Sequence, residues 1–280
     1  MIQIQDHKLV TDVNQFTFDA TENHSGPFKD GLPDTIVIHY TAGASYGSSV
    51  NWLKDKRAKA SAHLVVGRKG EVVQLVPFDT VAWHAGRSQW NDRTGLNKYS
   101  IGIEIANAGL LERRANGYYT SFGTKVPDEH VVIGQHKHGD IEQAWEAYTS
   151  EQITMVEALC VALMEAYPIK EIVGHDDIAP QRKKDPGPAF PLEAMRSRLL
   201  FSRNDDEVEG AGETEDTVPG IITASLLNIR REPNLQSPTI SEPLRQGTRI
   251  SQLQQHGKWI KVKVELEGWV RRNFVKLVER

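Results

Sequence analysis

The stretch Gly174-His175-Asp176-Asp177-Ile178-Ala179-Pro180-Gln181-Arg182-Lys183-Lys184-Asp185-Pro186-Gly187-Pro188 decides how this chain is read. It gathers a histidine, lysines and carboxylates into one loop held by three prolines and two glycines. Upstream, Ile36-Val37-Ile38-His39-Tyr40-Thr41 offers a second histidine at the end of an apolar, strand-like run. Alternation along that strand puts Val37 and His39 on one face and Ile36 and Ile38 on the other. His175 likewise follows an apolar pair, Ile172-Val173, and in α/β sheets the strand ends and their loops are where ligands gather. Two histidines and one carboxylate make three protein ligands, the number a catalytic zinc takes when a water keeps the fourth position. Taken alone, the prolines and charges equally describe an ordinary surface loop, and spacing does not by itself bring the two histidines together.

Composition narrows the class. A chain of 280 residues with 39% hydrophobic content can bury a full core and has room for one large domain and a small one. It has no long uninterrupted apolar run, so no membrane span is expected. The start, Met1-Ile2-Gln3-Ile4-Gln5-Asp6-His7, lacks the basic-then-apolar pattern of a classical signal peptide. The single cysteine, Cys160, leaves no intramolecular disulfide and lies in a helix-period stripe with Val156, Leu159 and Leu163, where a core thiol is expected. A formal charge of −4 disfavours nucleic acid as a partner.

Residues 1–33 are polar and turn-rich and read as an entry segment. Strands are predicted near 35–40, 62–67, 71–77 and 101–105, with helices over about 48–59, 150–166 and 191–202. The polar stretch 108–149 exceeds what a simple connection needs. Its His136-Lys137-His138 resembles a metal pair, yet histidines two apart on a polar loop are expected simply to be exposed. Between residues 203 and 220, acidic residues alternate with Gly210, Ala211 and Gly212, and almost nothing can be buried, so a flexible linker is predicted.

Five blocks carry a resemblance: IVIHYTAG at 36–43, SAHLVV at 61–66, GEVVQLVPFDTVAWHAG at 70–86, SIGIEIAN at 100–107 and GHDDIAP…DPGPAF at 174–190. In this order they resemble the type 2 family of zinc N-acetylmuramoyl-L-alanine amidases, from about Thr35 to about Leu200. The resemblance implies an α/β domain with a mixed central β-sheet flanked by helices, over residues 1–202 with a core at about 34–200. It implies Zn²⁺ as cofactor, held by His39, His175 and Asp185, and peptidoglycan or a muropeptide as the partner. Phage and animal relatives carry a cysteine where this chain has Asp185, so the chain resembles the anhydromuramoyl-peptide recycling branch.

Glu104 sits in Ile101-Gly102-Ile103-Glu104-Ile105, where the isoleucines share one face and Gly102 and Glu104 the other. A carboxylate beside a glycine, with room for substrate, suits a general base, and the resemblance assigns Glu104 that role. The phage and animal branch uses a tyrosine at the position of Ala62 instead. The resemblance likewise makes Lys183 the catalytic cation, although in a basic run it also reads as a solvated lysine. His63, Trp83 and His84 fall in family blocks as residues that line or support the cleft. The pattern LNIRREP…GT…WIKV…GWV over roughly 222–278 resembles a bacterial SH3-like domain, which implies a small β-barrel that binds cell wall over 221–280.

The implied activity is hydrolysis of the amide between N-acetylmuramic acid and L-alanine. A non-catalytic peptidoglycan receptor and a zinc peptidase acting within the stem peptide are the rivals. The absent signal suits a cytoplasmic recycling enzyme. A wall-binding module suits a protein that reaches the wall after lysis or by dedicated export.

Overall fold

Ile36, Val37 and Ile38 are all completely buried, as a strand covered on both faces requires. The computed structural model describes residues 2–10, 16–200, 218–222, 226–231, 233, 239–241, 243–245, 247–256 and 259–264. The chain divides into two compact units, Met1–Leu200 and Phe201–Arg280.

The first unit is built on a six-stranded sheet. Its strands are β1 (Phe16–Phe18), β2 (Thr35–Tyr40), β3 (Leu64–Val66), β4 (Val72–Gln74), β5 (Ser100–Ile105) and β6 (Glu171–Gly174). Their order across the sheet is β6-β2-β5-β3-β4-β1. Pairing is parallel except between β3 and β4, so the sheet is mixed, as expected. The isoleucines of β2 and β5 enter one core cluster with Val156, Leu159, Cys160 and Leu163 of helix α2 (Ser150–Ala166) and Met195 of helix α4 (Leu192–Leu200). Val37 faces the other way, against Ala85, Leu96, Val173 and Ile178. Val65 and Val73 also use that second face, packing with Val50 and Leu53 of helix α1 (Tyr46–Lys54). Period-two alternation in the strands thus assigns each side chain to a layer.

Boundaries moved where capping chemistry intervened. Ser45 and Ser48 form a reciprocal capping box that starts α1 at Tyr46 rather than Ser48. The Asp55 carboxylate accepts from the Arg57 N–H and opens a separate 3₁₀ turn, so the predicted run to Lys59 stops at Lys54. Helix α2 is capped in the same way by Thr149 and Gln152. Strand β1 was not foreseen, because Phe16-Thr17-Phe18 is too short to show a period; it becomes a strand by pairing with β4.

The stretch 108–149 is not an unstructured loop. It forms a three-stranded sheet (Glu112–Arg114, Gly117–Tyr119, Lys125–Val126) and a hairpin of Val131–Gln135 with Glu142–Glu146. Together with the short strand pairs Gln3–Gln5/Lys8–Val10 and His24–Pro27/Thr80–Ala82, it lies outside the central sheet.

In the second unit, Val218–Ile221, Arg249–His256 and Trp259–Val264 form an antiparallel sheet, and Leu226–Leu227 pairs with Leu244–Arg245. Most of the predicted linker, and the closing Gly268-Trp269-Val270 of the SH3-like pattern, fall outside the described residues. Among the described residues no helix is long and apolar enough to cross a membrane.

Leu163 is fully buried between α2 and the sheet. Leu163→Ala is expected to cost about 2–5 kcal/mol of unfolding free energy in the first unit, read from denaturant melts. A loss below about 1 kcal/mol would contradict this placement of the core.

Candidate metal centre and active site

Strand register brings the chemistry to one edge. In the parallel pairing of β2 with β5, Glu104 lies opposite His39. On the other side of β2, Gly174 of β6 lies opposite Ile38, so His175, the next residue, arrives beside His39. His175 opens the single helical turn α3 (His175–Ile178). The loop after α3 folds back so that the Asp176 N–H donates to the Asp185 carbonyl at 2.8 Å, bringing the Asp185 side chain to the histidines.

Three donor atoms converge. His39 Nδ1 lies 2.8 Å from His175 Nδ1 and 3.1 Å from Asp185 Oδ2, and His175 Nδ1 lies 2.9 Å from the same oxygen. All three residues are buried. The far nitrogens decide which atoms carry protons. His175 Nε2 lies 3.2 Å from the Ala85 carbonyl, an acceptor, and 3.4 Å from the Arg182 guanidinium, which itself donates to that carbonyl; the shorter contact places the proton on Nε2. His84 Nε2 faces the Ser100 carbonyl at 3.2 Å, and also Ser100 Oγ, whose own hydrogen goes to the Leu96 carbonyl. His84 therefore donates from Nε2 and accepts at Nδ1, 3.0 Å from His39 Nε2. With the rings neutral, His39 and His175 both present bare Nδ1 lone pairs to Asp185. Burial, reinforced by repulsion from the neighbouring His175 ring, lowers His39 to a pKa of about 4 and keeps it neutral near pH 7. Two lone pairs and a carboxylate with no proton between them form a donor set suited to a divalent cation.

Glu104 faces a cavity of about 320 Å³ lined by Thr41, Gly43, Ser48, Ser49 and Trp52. Its Oε2 is buried and has no hydrogen-bond partner. Burial first, then the nearby Asp185 charge, pushes its pKa up to about 8, against the opposing pull of Lys183. Lys183 also acts on His39, so its cation lies within electrostatic reach of both groups. Arg182 is pinned to the Ala85 and Arg87 carbonyls at 3.0 and 2.9 Å.

The other histidines find different places. His63 is fully buried, accepts from the Gly102 N–H at Nδ1 and donates from Nε2 to the Thr80 carbonyl, so it lines no open cleft. His84 is buried behind His39 as its hydrogen-bond partner. Trp83 is half-buried and donates to Ser25 Oγ at 2.6 Å. Gly102 is the sequence sign that the role of His84 could have been read from, because any Cβ there would overlap the His84 ring. Of the His136-Lys137-His138 stretch, Lys137 and His138 are exposed, but the exposure expected for His136 is corrected. His136 is only 4% exposed and meets Asp176, a contact across 40 residues with no local signal.

Residues 29–188, more than half the chain and including His39, Glu104, His175, Lys183 and Asp185, match the Amidase_2 family, N-acetylmuramoyl-L-alanine amidase. The chain belongs to this amidase family. It is 37% identical over 147 residues to the 1,6-anhydro-N-acetylmuramyl-L-alanine amidase AmpD of Escherichia coli, covering 52% of this chain and 60% of the relative. It is 36% identical over 169 residues to the N-acetylmuramoyl-L-alanine amidase AmiD of E. coli, covering 57% of this chain and 51% of the relative. The chain thus matches between half and two thirds of the length of these relatives. The solved complex of E. coli AmiD with anhydro-N-acetylmuramic acid-L-Ala-D-γ-Glu-L-Lys is similar at a TM-score of 0.44 and 29% identity, over 69% of this chain and 64% of that one.

¹⁵N-resolved histidine spectra of the folded protein should show His39, His84 and His175 each carrying a proton at Nε2 and none at Nδ1. A proton on His39 Nδ1 would refute the hydrogen-bond chain through His84.

Proposed function

We propose that this amidase is a zinc hydrolase that cleaves the amide between the lactyl group of N-acetylmuramic acid and the L-alanine of the stem peptide. The observation that carries the reading is the meeting of a His39–His175–Asp185 donor set with the unpartnered carboxylate of Glu104, opposite His39 on the next strand. The names of the curated relatives point to the same bond.

His39, His175 and Asp185 would hold the ion through one atom each, leaving a position open as catalytic zinc sites do. Bound zinc would supply a Lewis acid for the carbonyl and lower the pKa of a coordinated water to about 7. Glu104 takes up a proton at its free Oε2 and returns it to the departing alanine nitrogen. Its raised pKa suits both halves of that task, because a general base works best when its pKa lies near the operating pH. Lys183 brings a positive charge to the developing oxyanion, a contribution of roughly 3–4 kcal/mol for one well-placed donor. The products are a muramic carboxylate and a stem peptide with a free alanine amine.

The cavity beside Glu104 carries hydroxyls from Thr41, Ser48 and Ser49 and the half-exposed indole of Trp52, a surface suited to a polar, uncharged part of the substrate. The reading favours an enzyme over a receptor because a receptor has no use for a half-buried carboxylate with an unpartnered oxygen next to a metal site.

Two variants test the assignment on whole sacculi and soluble muropeptides, with products followed by mass spectrometry. Asp185→Ala should lose bound zinc by elemental analysis. Glu104→Gln should keep zinc and lose turnover by roughly 10²–10⁴-fold, the usual share of a general base. Full zinc occupancy in the first, or near-normal turnover in the second, would reject the corresponding role.

A further inference from the structure

The hairpin of Val131–Gln135 with Glu142–Glu146 has no part in the central sheet, yet it reaches the loop that carries two of the three metal ligands. We propose that this hairpin is a brace for the metal centre, and that His136 and Lys137 at its turn are positioning residues that hold the 174–188 loop in ligating geometry. The inference rests on the reading of His39, His175 and Asp185 as a zinc site.

Four contacts support it. His136 Nε2 lies 3.0 Å from Asp176 Oδ2, and the His138 N–H donates to His136 Nδ1, so the proton of the neutral ring is on Nε2 and is given to the carboxylate. Lys137 Nζ pairs with Asp176 Oδ1 at 2.8 Å and with Asp177 Oδ1 at 2.6 Å. His138 Nε2 donates to the Asp176 main-chain carbonyl at 3.0 Å. Asp176 is only 2% exposed, so its carboxylate depends on these partners to be buried at all. Asp176 follows His175 directly, and its N–H donates to the Asp185 carbonyl. One buried carboxylate therefore stands between the hairpin and both ligands.

The other end of the loop is gripped as well. The His136 ring stacks on Trp145, with centroids 5.8 Å apart. The Trp145 ring leaves no room for a Cβ at Gly187, whose φ of +72° also favours glycine. At the foot of the hairpin, the Tyr148 hydroxyl donates to the Pro186 carbonyl at 2.8 Å. Asp185 is thus flanked by Asp176 on one side and by Pro186 and Gly187 on the other, and all three are held from the 131–148 segment. Partners that orient metal ligands without touching the ion typically account for 10–100-fold in metal affinity.

The test is zinc affinity of the full chain, measured by competition with a chromogenic chelator, alongside melting curves with and without zinc. His136→Ala and Lys137→Met should each weaken zinc binding by about 10–100-fold and shrink the zinc-induced rise in melting temperature. His136→Gln, which can still offer an N–H to Asp176, should recover part of the loss. If His136→Ala fails to fold, Lys137→Met, altering a partly exposed side chain, decides the matter. Folded variants that bind zinc within about twofold of the wild type would overturn the brace. A wild-type chain that binds no zinc would instead overturn the metal reading itself, and the brace with it.

Discussion

Parallel pairing of β6, β2 and β5 is the constraint on which the rest of this structure depends. Parallel strands end at the same edge, so residues at matching register positions come out side by side. Here the register places Glu104 opposite His39 and brings His175 in beside it. The strands can hold that register because both faces are covered: α2 and α4 bury the isoleucines of one face, and α1 and the 80–100 segment bury the valines of the other. A slip of one residue would turn His39 and Glu104 into the aliphatic core. Burial of Ile36, Ile38, Ile101 and Ile103 therefore fixes the chemical geometry as well as contributing stability.

The second determinant is the control of protons around the donor set. Imidazole can present a lone pair at either nitrogen, and what faces the far nitrogen decides which. The Ala85 and Ser100 carbonyls, both main-chain acceptors with no alternative role as donors, settle it for His175 and for the His84–His39 pair. The consequence is a donor set of two lone pairs and a carboxylate that could hold a cation. Glu104 is tuned in the opposite sense: burial first, then the nearby Asp185 charge, makes it hold a proton more readily than an ordinary carboxylate, and no donor meets its Oε2.

Family membership and geometry support one another without being the same argument. The match over residues 29–188 contains all five residues proposed to carry the reaction. The hairpin of Val131–Gln135 with Glu142–Glu146 lies within that match too, and its contacts with Asp176 tie it to the ligand loop in the same unit.

The sequence by itself determined the strands around His39 and Glu104, the long helix over Ser150–Ala166 and the faces on which their side chains fall, because periodicity is a local property written in consecutive residues. By resemblance it also singled out His39, His175, Asp185, Glu104 and Lys183. Only the tertiary structure decided that three donor atoms meet within 3.1 Å, that His84 stands behind His39 rather than in a cleft, and that His136 is buried against Asp176. The contacts that His39 makes with His84, His175 and Asp185 span 45 to 146 residues, and the contact of His136 with Asp176 spans 40. No spacing rule reaches so far, because the distance between such residues is set by strand order and register, which exist only once the sheet is assembled.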